Sequence, residues 1–128
     1  MKGAFVIEGI VQYGRKRGKS LGFPTANVSL KEEIPEGIYA ATVLLRGLEY
    51  IAAVFIGTAK TYNESLYQAE CHILGFKKDI YGEKITLKLY KKLRDNKKFS
   101  SVSALILQIK KDVEDVSKYF LEQKLKNS

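Results

Sequence analysis

The change of hydrophobic period along the chain limits its fold more than any other feature. Residues 5–13, Phe-Val-Ile-Glu-Gly-Ile-Val-Gln-Tyr, are rich in β-branched and aromatic types and run into Gly14, as a strand runs into a turn. Similar runs occupy 37–46, 49–56, 66–74 and 84–93. Connections as short as Arg46-Gly47-Leu48 join some of them, which predicts antiparallel hairpins and meanders. Beyond residue 100 the repeat lengthens: Val102, Leu105, Ile106, Ile109, Val113, Val116 and Phe120 recur at steps of three and four, with lysines and acids between them. That spacing predicts a helix, and Ser100 or Ser101 can cap it by accepting a free N–H of its first turn. Strands first and a helix last, without βαβ alternation, argue against a Rossmann or P-loop architecture. The expected fold is mainly β: a small closed or nearly closed antiparallel barrel with a C-terminal helix packed on it by one face.

A chain of 128 residues with 45% hydrophobic content suits one compact domain, expected to span 1–128. Its one cysteine, Cys71, allows neither an intrachain disulfide nor a cysteine metal cluster, and fits a reducing setting. Glu8 and Gly9 interrupt the apolar start before a signal-peptide core is complete, and no stretch approaches the roughly 20 apolar residues of a membrane span. A soluble, cytoplasmic protein is the expectation. The net charge of +8 favours anionic partners, whether nucleic acid, a membrane surface or a small polyphosphate, and charge alone does not choose among them.

Chemistry concentrates after the first strand. Gly14-Arg15-Lys16-Arg17-Gly18-Lys19-Ser20 has the glycines and the lysine of a phosphate-binding loop. It is one residue short of a Walker pattern, however, and the following Leu-Gly-Phe-Pro cannot open the required helix. What remains is a basic, glycine-rich loop suited to anions, or else a solvated basic turn. In the next segment, Gly22-Phe23-Pro24-Thr25-Ala26-Asn27, Pro24 biases the chain toward extended conformations. Thr25 and Asn27 then share one side and present two neutral oxygens to one point. Such oxygens suit a hard cation like Mg²⁺, which takes its other ligands from water and phosphates. A turn in which both side chains bond nearby backbone is the competing reading. In the 66–74 run, alternation puts Tyr67, Ala69, Cys71 and Ile73 on one mostly apolar face and Gln68, Glu70 and His72 on the other. Glu70 is a solvated carboxylate unless that face lines a pocket, where it could accept the proton of an attacking alcohol.

The run Gly-Lys-Ser-Leu-Gly-Phe-Pro-Thr-Ala-Asn at 18–27 resembles the hallmark of the riboflavin kinase family, both the stand-alone eukaryotic type and the C-terminal domain of bacterial bifunctional FAD synthetases. Three more segments match in order: Gly-Ile-Tyr-Ala at 37–40, Glu-Cys-His-Ile-Leu-Gly-Phe with Asp-Ile-Tyr-Gly within 70–82, and Leu-Arg-Asp-Asn-Lys-Lys-Phe-Ser-Ser-Val at 93–102. The resemblance implies a six-stranded antiparallel Greek-key barrel with a C-terminal helix. It also implies transfer of the γ-phosphate of ATP to the 5′-hydroxyl of riboflavin, with Mg²⁺ or another divalent cation.

On that resemblance Thr25 and Asn27 hold the metal and, with Gly14, Lys19, Gly22 and Pro24, the ATP phosphates. Glu70 is the catalytic base. Phe76 and Tyr81 stand near the adenine, and Arg94 and Phe99 on the flavin side. Lys19 occupies a position that is often arginine in bacterial relatives, which keeps the charge and loses the planar fork. The segment 55–61 departs from the family's usual Asn-Ile-Gly pattern. No adenylyltransferase segment precedes the match, so FAD synthesis is not expected. The implied partners are ATP and riboflavin acting on a monomer, with neither nucleic acid nor membrane. Two rivals remain: a family member that binds flavin for regulation without turnover, and a basic small barrel that binds single-stranded nucleic acid in a salt-sensitive way.

Overall fold

The computed structural model describes residues 5–12, 25–61, 64–76 and 78–126, with side chains 58–67 left aside. Six strands, β1 (Phe5–Ile10), β2 (Ala26–Ser29), β3 (Gly37–Leu45), β4 (Leu48–Thr61), β5 (Glu64–Ile73) and β6 (Lys84–Arg94), precede one helix, α1 (Val102–Lys126). All pairings are antiparallel, in the spatial order β1-β6-β3-β4-β5-β2. β3, β4 and β5 form a meander and β6 returns beside β3, which is the Greek key expected.

The sheet curls until its outer strands meet. Gln12 and Asn27 form an antiparallel bridge, with the Gln12 N–H donating to the Asn27 carbonyl at 2.7 Å. At the same seam Gly9 passes so close to β2 that an added Cβ would lie 2.4 Å from Cγ1 of Val28. Only glycine fits there. The barrel interior is filled by alternate residues: Ile7 from β1, Ala26 and Val28 from β2, Tyr39, Ala41, Val43 and Leu45 from β3, Ala52, Val54 and Ile56 from β4, Ala69, Cys71 and Ile73 from β5, and Ile85, Leu87 and Leu89 from β6. The thiol of Cys71 is fully buried, and burial, then the charge of Glu70, pushes its pKa far up.

Helix α1 lies outside the barrel across β3, β4 and β6. It starts where expected: Ser101 Oγ accepts the Ala104 N–H at 3.1 Å. Val116 is fully buried, and Leu105, Ile106, Ile109, Val113 and Phe120 are half-buried, whereas Val102 is exposed. The Phe120 ring meets Tyr90 of β6 edge-on at 5.6 Å. No helix among the described residues is long and apolar enough to cross a membrane.

Two elements depart from expectation. β2 was not foreseen as a strand, because four residues of mixed propensity after a proline carry little signal. It forms because the edge of β5 offers unpaired backbone groups. β4 and β5 also run on to Thr61 and Glu64, beyond the expected runs at 49–56 and 66–74. No proline interrupts 57–65, and a hydrogen-bonded ladder needs no apolar side chains.

Candidate active site

The strand register assembles the site. Residues directly opposite in an antiparallel pair point to the same face. Asn27 of β2 pairs with Glu70 of β5, Glu70 with Phe55 of β4, Phe55 with Ile38 of β3, and Ile38 with Arg94 of β6. These five residues form one row across the outer face, because their strand neighbours Ala26, Cys71, Val54 and Tyr39 face the interior. Glu70 is therefore turned away from the core, half-buried and next to Asn27.

Asn27 is 3% exposed despite its polarity. Its Oδ1, and Oγ1 of Thr25 just before the strand, are buried and accept no hydrogen bond. Leaving such an atom unpaired costs on the order of 1–3 kcal/mol, so a ligand that satisfied the two on this short segment would recover that cost. They are neutral oxygens, the type of donor that a hard cation takes while phosphates and water complete its shell. The two residues thus fit a magnesium ion carried by a polyphosphate. Among the described residues no cluster of three or more His, Cys, Asp or Glu could hold a metal by protein ligands alone.

The 79–83 turn reaches the same end of the barrel. Gly82 donates to the Val11 carbonyl and Val11 to the Glu83 carbonyl, both at 2.9 Å, and Val11 is followed by Gln12, the partner of Asn27. Within this turn Tyr81 is 52% exposed, and its backbone N–H is held by Asp79 Oδ1 at 2.9 Å. Phe76 packs at the rim of the core, edge-on to Tyr50 at 5.2 Å. Tyr81 thus offers a ring to a ligand more openly than Phe76 does. Gly14, Lys19, Gly22 and Pro24 lie outside the described residues.

At the other end of the row, Arg94 grips α1. Its Nε and Nη2 donate to the two carboxylate oxygens of Asp112 at 2.8 and 2.7 Å, and its Nη1 to the Asp95 carbonyl at 2.9 Å. Gln108 Nε2 donates to the same carboxylate at 3.0 Å. Asp112 is 5% exposed, buried because this network satisfies it. Arg94 spends three of its five N–H donors on the protein, which fixes the orientation of its guanidinium. Lys92 reaches Asp95 at 2.6 Å, and that hydrogen bond, then the lysine's charge, lowers the Asp95 pKa. Phe99, half-buried, follows in the same connection.

Sequence reasoning missed Asp112 and Asn96. An acid at helical register inside an apolar stripe, three residues after Ile109 and four before Val116, was the available signal for Asp112. Asn96 carried none. Its Nδ2 donates to the Ile56 carbonyl at 3.4 Å, and its Oδ1 is buried without a partner.

Residues 1–120 match the flavokinase family profile, described as riboflavin kinase. The chain is 35% identical over 122 residues to the bifunctional riboflavin kinase/FMN adenylyltransferase of Bacillus subtilis, covering 91% of this chain and 39% of that protein. Its fold matches a riboflavin kinase from Trypanosoma brucei with a TM-score of 0.68 at 26% identity, covering 97% of this chain and 86% of that one. It also matches a Streptococcus pneumoniae chain described as a macrolide-efflux protein, with a TM-score of 0.80 at 33% identity over 88% of this chain and 38% of the other. The chain spans 19% of the length of a trifunctional relative from Mycoplasmoides gallisepticum and 51% of that of an RNA-binding riboflavin kinase from Bacillus subtilis. With a family match across residues 1–120, the chain belongs to the riboflavin kinase family.

Proposed function

We propose that the chain is a riboflavin kinase, transferring the γ-phosphate of ATP to the terminal hydroxyl of riboflavin to give FMN and ADP. The observation that carries this reading is the placement of Glu70 directly opposite Asn27, beside two buried oxygens that have no partner among the described residues. Phosphoryl transfer depends mostly on positioning and charge neutralisation, so a cation-holding segment and one carboxylate on the same face form a sufficient set.

Thr25 Oγ1 and Asn27 Oδ1 would hold the divalent cation, which supplies charge neutralisation at the phosphates. Glu70 takes the proton of the flavin hydroxyl as its oxygen attacks phosphorus, the P–O bond to ADP breaks, and the proton leaves on the carboxyl. The 79–83 turn is bonded to Val11, shortly before the glycine-rich segment in sequence, which suits the nucleotide side, and the Tyr81 ring on it is exposed. The row from Phe55 to Arg94 suits the flavin side, with Phe99 following.

The test is FMN formation from riboflavin, ATP and Mg²⁺, followed by chromatography, with Glu70→Gln alongside. The expected result is FMN from the parent and a loss of roughly 10²–10⁴-fold in kcat for the variant. A folded parent that binds riboflavin and makes no FMN with any nucleotide or divalent metal would leave a flavin-binding regulator in its place.

A further inference from the structure

Among the described residues, three buried side-chain atoms lack a hydrogen-bond partner: Thr25 Oγ1, Asn27 Oδ1 and Asn96 Oδ1. The first two are those assigned above to the proposed cation. The third sits on the connection between β6 and α1, well away in sequence and held in a defined orientation. Its amide Nδ2 faces the Ile56 carbonyl. The reverse orientation would set two carbonyl oxygens against each other, so Oδ1 must face the other way. The residue before it is fixed as well, because Arg94, itself clamped by Asp112, donates to the Asp95 carbonyl.

Asn96 overhangs a glycine. A Cβ on Gly57 would come within 2.7 Å of the Phe55 ring and 3.5 Å of Asn96 Nδ2, so the Phe55 ring and the Asn96 amide close over a strand position that carries no side chain. Gly57 lies two residues along β4 from Phe55, the direct partner of Glu70. From Glu70 that position is one strand across and two residues along, roughly 8 Å by strand spacing and rise, within reach of a five-carbon polyol chain and its hydroxyls whose end lies at Glu70.

We propose that Asn96 Oδ1 accepts a hydrogen bond from a ribityl hydroxyl of the flavin, forming an acceptor subsite one strand across and two residues along from the base. The inference rests on the kinase reading and adds to it a specificity determinant for the polyol rather than for the ring. An amide that receives a substrate hydroxyl favours the polyol over any analogue that leaves it unpaired.

The experiment compares the parent with Asn96→Leu, close in shape but without the acceptor. It measures riboflavin KM, ATP KM and kcat, and the dissociation constants of riboflavin and of lumiflavin, which keeps the ring and lacks the polyol. Expected is a rise of roughly tenfold in the riboflavin KM and dissociation constant, with the lumiflavin constant and the ATP KM unchanged. Equal weakening of riboflavin and lumiflavin would show Asn96 to be a structural anchor and overturn the proposal. So would an unchanged riboflavin constant in a variant that still makes FMN, a result that leaves the kinase reading standing. A parent that makes no FMN overturns the kinase reading, and this inference falls with it.

Discussion

The grip of Arg94 on Asp112 offers a sharp test of the energetics, because the chain contains its own control. Arg94–Asp112 and Arg46–Glu83 are both paired through Nε and Nη2 to two carboxylate oxygens. They differ in burial: side-chain exposure is 17% and 7% in the first pair, and 58% and 29% in the second. Truncating one partner of a buried pair strands the other charge away from water, at a cost of about 3–5 kcal/mol. Asp112→Ala should lie at the lower end, about 3 kcal/mol, because Arg94 keeps its bond to the Asp95 carbonyl and some contact with solvent. For a domain of this size that is a fall in Tm of roughly 10–15 °C. Glu83→Ala, at a solvent-screened pair, should shift Tm by less than about a third as much. Urea unfolding at pH 7, with m-values checked for constancy, reads both variants. A third chain, Arg94→Met with Asp112→Leu, should recover most of the loss, since well-packed apolar groups can replace a buried ion pair. Equal losses in the two single variants, or no recovery in the double variant, would refute the claim that desolvation sets the magnitude.

Two further outcomes follow from the site and the core. Thr25→Val and Asn27→Leu remove buried oxygens that nothing among the described residues satisfies, so each should leave the ligand-free fold as stable as the parent or more stable by about 1 kcal/mol, while cutting turnover at limiting Mg²⁺ by roughly tenfold or more. Loss of stability without loss of activity, read by urea melts and FMN formation, would remove the ligand role. Burial holds the Cys71 thiol protonated far above its ordinary range, so iodoacetamide at pH 9 should leave the native protein unlabelled and label it fully in urea, and rapid native labelling seen by mass spectrometry would contradict this.

The sequence by itself determined the periods and the chemistry. Alternation in five runs and a step of three to four after residue 100 are local properties, so the β body, the helix and its Ser101 cap were legible without a fold. Glu70 was legible as an outward carboxylate for the same reason, because Ala69, Cys71 and Ile73 claim the inner face. Thr25 and Asn27 were legible as two oxygens on one side of an extended segment.

What only the tertiary structure decided is who stands beside whom. β2 exists because β5 offers it an edge, and the register between them sets Asn27 opposite Glu70, a relation between residues far apart in sequence. Asp112 becomes a buried anion because Arg94, from another strand, arrives to pair with it. Asn96 becomes an orphan acceptor only where the connection after β6 folds over Gly57. Periodicity records how each residue relates to its own element, whereas register and long-range desolvation are energies of pairs, and no single segment carries them.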